Sequence, residues 1–317
     1  MKTIQLMNIP NYYSSYYLLG LHQTYKVKFK MDKNFIKFNN KPILIFKVND
    51  TIAVIDNDDP TGIKQELYDI ASVYFVTNKL IDHDSYKQQK VKPLYPHYPV
   101  NIVLLYCRIF GLGLFRYLKF KDMAQQIYIL LRRPLYSQYK KSFKKDNFIF
   151  FSSNIWKKEP ETNQIRAEFI RFCKTDYRIK FKGGFIPRSD GSNYGFDNEL
   201  NNEKYSPKMF SKWSAKSKVA LNNPAVCGAV SWRLAEYLNQ GLFVLSFPFK
   251  IELPYKLEQG SVVYFIEETI EFKKVIDTIV DHPNEHELVA EKGKSYFDTY
   301  CTPMAQAKYI YNSVLVK

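Results

Sequence analysis

The stretch from Asn222 to Pro248, NNPAVCGAVSWRLAEYLNQGLFVLSFP, constrains the fold more than any other part of the chain. Asn222, Asn223 and Pro224 end the apolar run before it, and a small-residue loop follows. Ser231 then stands where a helix N-cap is expected, Gly241 where a glycine closes the helix, and LFVLSF follows as a buried strand. A turn, a helix and a buried strand in this order read as part of an alternating α/β protein with a parallel sheet. In such proteins the loop entering the helix lies at the ligand-binding edge of the sheet, where unpaired backbone N–H groups favour an anion. The expected ligand therefore carries phosphate.

The alternation extends in both directions. In the first half, MKTIQLMNI, KVKFKM, PILIFKV, TIAVID and YFVTN read as strands and YYSSYYLLGLHQ as a helix. Asn49 and Asp50 form a turn pair between two of the strands. Asp59 is expected to cap a helix that has Pro60 in its first turn and continues through IKQELYDIASV. In the second half, NFIFFSSN reads as a strand, and a helix follows through Asn163, Arg166, Phe169 and Ile170. YRIKFKGGF is a strand-like run expected to break at Gly183-Gly184, and MFSKWSAKSKVALNN carries a helix into a strand. VVYFIE and TIEFKKVIDTIV continue the pattern, and the tail is mostly helical. With 317 residues the chain accommodates two domains. The boundary is placed near residue 145, where Arg132, Arg133, Lys140, Lys141, Lys144 and Lys145 crowd around Pro134. That basic run reads as a solvated linker or as a contact with lipid headgroups or phosphates.

Val100 to Leu118 is long and apolar, yet Arg108 and Arg116 interrupt it and Gly111 and Gly113 weaken a single helix. It is expected to be a buried strand followed by a helix. A second reading is an interfacial helix, because LFRYLKFK mixes large apolar residues with Arg116, Lys119 and Lys121. The N-terminus has no signal-peptide core and the four cysteines lack metal-ligand spacing, so a cytoplasmic protein is expected, peripheral at the inner membrane face on the second reading. Lys plus Arg at 46 against Asp plus Glu at 31 gives a formal charge of +15, which favours nucleic acid, anionic lipid or a phosphorylated substrate as partner.

Several chemistries lose ground. The chain has no G-x-G-x-x-G fingerprint and no G-x-x-x-x-G-K-[ST] loop. His282-Pro283-Asn284-Glu285-His286 matches an inverted zinc-protease pattern, but Pro283 pushes His282 out of helical geometry, so no metal is expected there. On the helix after Ser231, Leu234, Ala235 and Leu238 share an apolar face, with Arg233 and Glu236 on a more polar side. Arg233 and Glu236 read either as an i,i+3 ion pair or as ligands of a diphosphate and of ribose hydroxyls.

SWRLAEYLNQGLFVLSFPFKIELPYKLEQG resembles the donor-domain segment of GT-B glycosyltransferases, in particular bacterial polysaccharide- and lipopolysaccharide-building ones. FIFFSSNIWKKE followed by NQIRAEFIR resembles the first strand and helix of the same domain, so the resemblance covers roughly residues 146 to 300. It implies an α/β fold of two Rossmann-like domains facing a cleft. Residues 1–145 would form the acceptor-side domain and 146–300 the nucleotide-sugar domain, with a helix over 301–317 crossing back to brace the first. It further implies that Glu236 holds the donor ribose, that the helix start around Ser231 meets the diphosphate, and that Lys157, Lys158 and Arg166 are candidate diphosphate ligands. The E-x7-E form is absent, since CGAVS ahead of the helix holds no carboxylate.

The expected activity is transfer of a sugar from a nucleotide-diphosphate donor to a hydroxyl of a glycan or lipid-linked glycan. Lys182, Arg166 and Arg233 would supply charge without a metal, and no cofactor is expected beyond the nucleotide sugar as co-substrate. Asp56 and Asp58, just after a strand, are candidates for the group that takes the acceptor proton; turn formation and capping are their alternative role. The rival readings are a basic nucleic-acid-binding protein, disfavoured for want of a recognisable motif, and a non-catalytic peripheral membrane protein.

Overall fold

The computed structural model describes residues 2–139, 143 and 145–315; Lys140, Lys141 and Lys144 of the basic run lie outside them. The first half contains β1 (Thr3–Leu6), α1 (Ser15–Thr24), β2 (Lys26–Phe29), β3 (Ile43–Val48), β4 (Thr51–Asp56), α2 (Gln65–Ile70), β5 (Val73–Val76), β6 (Lys79–Leu80) and β7 (Val91–Pro93). Six of these strands form one sheet in the order β2-β1-β3-β4-β5-β7. It is mixed rather than wholly parallel, because β3 runs antiparallel to both β1 and β4. The physical cause is local. A two-residue turn at Asn49-Asp50 can only return the chain antiparallel, and Asn49 adopts the left-handed conformation at φ 53° that such a turn requires.

Two expectations fail in this half. Asp59-Pro60 does not open a helix: α2 starts at Gln65, and Lys64 occupies the cap position. The intervening residues form a loop held at its end by Lys64 Nζ on the Asp58 carboxylate at 3.0 Å. The apolar stretch from Val100 to Leu118 is not a strand followed by a helix but two short helices, α3 (Val103–Phe110) and α4 (Gly113–Tyr117), with α5 (Phe120–Arg132) following it. On α3, Tyr106 and Phe110 are buried while Leu104 and Arg108, which a strand would put on that same face, are exposed, so the pattern fits a helix and not a strand. Gly111, at φ 47°, separates the first two helices.

The second half contains β8 (Phe148–Asn154), α6 (Pro160–Thr175), β9 (Lys180–Ile186), α7 (Pro207–Ser214), β10 (Val219–Asn222), α8 (Arg233–Asn239), β11 (Phe243–Ser246), β12 (Ile251–Glu252), β13 (Tyr264–Phe265), α9 (Glu271–Asp281), α10 (Pro283–Tyr296) and α11 (Pro303–Leu315). The pairs β8–β9, β10–β11 and β11–β13 are all parallel. Lys218 N donates to Phe148 O at 2.7 Å and Phe150 N to Ser217 Oγ at 3.0 Å, which joins β8 laterally to β10. The strand order is thus β9-β8-β10-β11-β13. Its direction of progression reverses between β8 and β10, the place where open α/β sheets leave a crevice at their carboxyl edge.

Gly183 and Gly184 do not break their strand; they stand inside β9 at φ 120° and 134°. A Cβ on Gly183 would lie 1.9 Å from the Phe151 carbonyl oxygen of β8. Gly183→Ala is therefore expected to unpair β8 from β9 and to cost about 3 kcal/mol or more, measured by urea unfolding.

The halves are fastened together in three ways. β6 and β12 pair antiparallel, and Lys79 meets Glu252 at 2.6 Å. α11 crosses back onto α1, where Tyr16 OH donates to the Cys301 carbonyl at 2.7 Å and Tyr25 stacks on Tyr311. Finally, one hydrophobic core is shared, with Leu18, Leu21 and Phe46 from the first half and Leu234, Leu238 and Ile310 from the second.

Candidate active site

The carboxyl ends of both sheets open into one cavity of about 330 Å³, within the size range of small-molecule sites. Asn57, Asp58 and Asp59 enter it from the end of β4, and Thr77 and Asn78 from the end of β5. Opposite them stand Ser153 and Asn154 at the end of β8, and Asn222 and Asn223 at the end of β10, at the reversal of strand order. The walls touch at two points: Val230 N donates to Asn78 Oδ1 at 3.0 Å, and the rings of Tyr13 and Trp232 lie 5.6 Å apart.

Two arginines define the electrostatics. Arg166 rises from α6, is 3% exposed, donates from Nη1 to Asn154 O at 3.1 Å, and stacks 3.8 Å from the Trp156 ring. Its Nε is buried without a hydrogen-bond partner. Burial, reinforced by the charge of Arg233, lowers its pKa to about 9. Arg233, the first residue of α8, donates from Nη1 to Ser152 O at 2.8 Å and lies over the Phe210 ring. Among the described residues the arginines in ion pairs are Arg171, Arg178 and Arg188, so neither Arg166 nor Arg233 has a carboxylate partner. Carbonyl oxygens and aromatic rings hold the two guanidinium groups in place but do not neutralise them, so an anion shared between them would be strongly favoured in this partly desolvated cavity.

The remaining sequence candidates divide. Ser231 lines the cavity and caps the start of α8 one residue ahead of Trp232: its Oγ accepts from Arg233 N at 3.3 Å and its carbonyl from Leu234 N at 3.0 Å. Gly241, at φ 62°, closes α8 as expected. Glu236 is not among the cavity-lining residues. It is buried, burial raises its pKa against the lowering effects of Ser211, Arg233 and Arg133, and Oε1 has no partner. It does not form the i,i+3 ion pair either. Lys182 is not among the cavity-lining residues; it pairs with Glu203 and lies over the Trp213 ring. Lys157 and Lys158 are exposed in the loop between β8 and α6, outside the cavity lining.

On the opposite wall Asp56 is buried behind the cavity. It accepts from Tyr74 OH and from Asp58 N, with Lys64 at 3.8 Å, and burial raises its pKa. Asp58 does reach the cavity, with Lys64 at 3.0 Å. The sequence reading missed two neighbours. Asp59 is exposed to the cavity and in no ion pair among the described residues. His97 enters from the loop after β7, packs against the Tyr16 and Tyr17 rings, and is kept neutral by burial, which lowers its pKa to about 3. The only signal for Asp59 was its place after a strand, and for His97 there was none. Among the described residues no three His, Cys, Asp or Glu side chains gather as a metal ligand set. In the H-x-x-E-H segment His282 precedes α10, whereas His286 is buried against the Lys218 carbonyl at 3.0 Å.

Two α/β domains facing a cleft, with a C-terminal helix crossing back to brace the first, constitute the GT-B-like architecture. The chain is similar in structure to TarM, with a TM-score of 0.49 at 12% identity over 81% of this chain and 47% of that one. It is similar to Anabaena HepE in complex with UDP, with a TM-score of 0.49 at 11% identity over 81% of this chain and 69% of that one. A Listeria monocytogenes protein named as a UDP-N-acetylglucosamine 2-epimerase gives a TM-score of 0.47 at 11% identity over 98% of this chain and 95% of that one. The chain thus spans about half the length of TarM. The sequence matches no family model and no curated protein.

Proposed function

We propose that the protein transfers a sugar from a nucleoside-diphosphate donor to a glycan hydroxyl, without a metal. The observation that carries this reading is the Arg166–Arg233 pair, two cations in no ion pair among the described residues, at the strand-order reversal of a parallel sheet. Departure of the nucleotide places negative charge on its diphosphate, and fixed cations aimed at that charge stabilise the transition state more than the ground state. Trp156, Trp232 and Tyr13 supply flat surfaces for a base or a sugar ring on the same cavity.

The acceptor hydroxyl enters from the other wall. For transfer with inversion a base must take its proton opposite the leaving group, and Asp59 is the carboxylate available for this. Neutral His97 can accept a hydrogen bond from the acceptor. Asp59→Asn is expected to lower kcat about 100-fold with little change in donor Kd, read by steady-state kinetics beside calorimetric titration.

The decisive experiment incubates the protein with a panel of UDP-, GDP- and TDP-sugars, with and without EDTA, and follows melting temperature and nucleotide release. The reading requires a thermal shift with at least one donor and release that EDTA leaves unchanged. If no donor shifts the melting curve, or if the sugar is epimerised and the nucleotide never released, the reading fails.

A further inference from the structure

The three-helix insertion α3–α5 presents to solvent the surface that the cavity does not use. Leu104, Leu112, Phe115 and Phe120 are 82%, 85%, 69% and 77% exposed. On α3, Leu104 and Arg108 point opposite to the buried pair Tyr106 and Phe110, so their exposure follows from the helical period. Arg108, Arg116, Lys119 and Lys121 are exposed between these apolar side chains, and none of the four is in an ion pair among the described residues. No Asp or Glu occurs from residue 101 to residue 121. From residue 103 to residue 132 five Lys and Arg, Arg108, Arg116, Lys119, Lys121 and Arg132, face the single Asp122, so the surface of α3–α5 is net cationic.

Large apolar side chains alternating with unpaired cations on short surface helices match one kind of partner. The apolar groups enter an acyl boundary while the cations stay among anionic headgroups. Nucleic acid would reward the cations but not the bare Leu and Phe, and a protein partner of opposite charge is not needed to explain either. No helix among the described residues is long and apolar enough to cross a membrane, so the contact is one of lying on the surface. We propose that α3–α5 docks the protein on an anionic lipid bilayer. The far side of the same helices leads to the cleft. Gln126 of α5 accepts from Tyr12 N at 2.9 Å, next to the cavity residue Tyr13, and Arg133 just past α5 lies over the Trp232 ring. Docking would therefore hold the cavity near the lipid surface, and the inference stands whether or not the donor reading does.

The test is sedimentation of the full chain with vesicles of phosphatidylcholine alone or with phosphatidylglycerol at about a third of the lipid. Binding is expected only to the anionic vesicles and is expected to weaken at least tenfold in high salt. Leu112→Glu with Phe115→Glu should abolish it, whereas Ile270→Glu, at a site 80% exposed in the other half, should leave it unchanged. Arg116→Gln with Lys119→Gln removes charge without touching any apolar side chain and should weaken binding roughly 25-fold, about fivefold per cation. Melting temperatures within a degree or two of the parent certify the fold of each variant. Failure of the parent to bind anionic vesicles overturns the proposal, as does equal binding by the Glu variant. It is equally overturned if the patch instead holds two copies of the chain together, seen as a dimer in light scattering that the Glu variant dissociates.

Discussion

Arg166→Met is expected to lose about 10³-fold in kcat/KM while its melting temperature without ligand stays level or rises. The two outcomes have one cause. Arg166 is 3% exposed, its Nε is unpartnered, and the neighbouring Arg233 disfavours its charge, so in the free protein it is a cost of folding. Methionine fills similar space against the Trp156 ring and removes a buried charge, which is commonly neutral or stabilising. The lost activity corresponds to about 4 kcal/mol, the scale on which one fixed donor to a developing anion contributes. Any thermal shift given by a nucleotide-sugar donor should vanish in the same variant. Arg166→Lys should not restore it, because an ammonium group lacks the planar fork that stacks on Trp156 and spans two phosphate oxygens. A variant that keeps its response to the donor, or that melts several degrees lower and keeps activity, would show Arg166 to be structural.

The second large effect is a loss of stability in mild acid. His286 is fully buried, and its pKa is lowered to about 4, chiefly by burial. The unfolded chain protonates this histidine near pH 6.5, whereas the folded protein does not until about pH 4. Between these values the unfolded state binds more protons, so stability falls as pH falls and levels off above about pH 7. One pH unit is worth about 1.4 kcal/mol, so His286 alone costs about 2 kcal/mol at pH 5 and about 3 kcal/mol at pH 4. His97 acts in the same direction, with its pKa lowered to about 3. Urea unfolding from pH 7.5 to pH 5 should show the slope, and His286→Gln should reduce it by close to one proton. A flat profile in the parent protein would contradict the burial of His286.

How far the site could be read from sequence differs residue by residue. The β8–α6 and β10–α8–β11 units follow from local patterns: apolar runs of strand length, Pro160 in the first turn of α6, and Gly241 at the end of α8. Arg166 and Arg233 sit in those units, and both reach the cavity. Glu236 was harder to place. Periodicity assigns it to a polar side of its helix, but α8 is wedged between the sheet and the shared core, and Leu234 through Asn239 are all buried. A helix covered on every side has no solvent face for its polar residues, so amphipathic spacing does not report where such a residue points. Lys182 shows the complementary failure: its partner Glu203 lies 21 residues away, beyond any local spacing rule.

Local sequence determined the elements whose hydrogen bonds and caps close within a few residues: the parallel-sheet units of the second half, the Asn49-Asp50 turn, and the end of α8. It also determined the sign of the charge. Tertiary structure alone decided which strand ends meet, and with them the neighbours of Arg166 across the cleft: Asp59 and His97, some 107 and 69 positions away. It decided too that Asp56 is buried while Asp59 is open, and that Leu104, Leu112, Phe115 and Phe120 stand in solvent. The reason is that turns and helices draw their stability from contacts close along the chain, whereas a cavity is made of side chains brought together only when two sheets pack edge to edge on a common core.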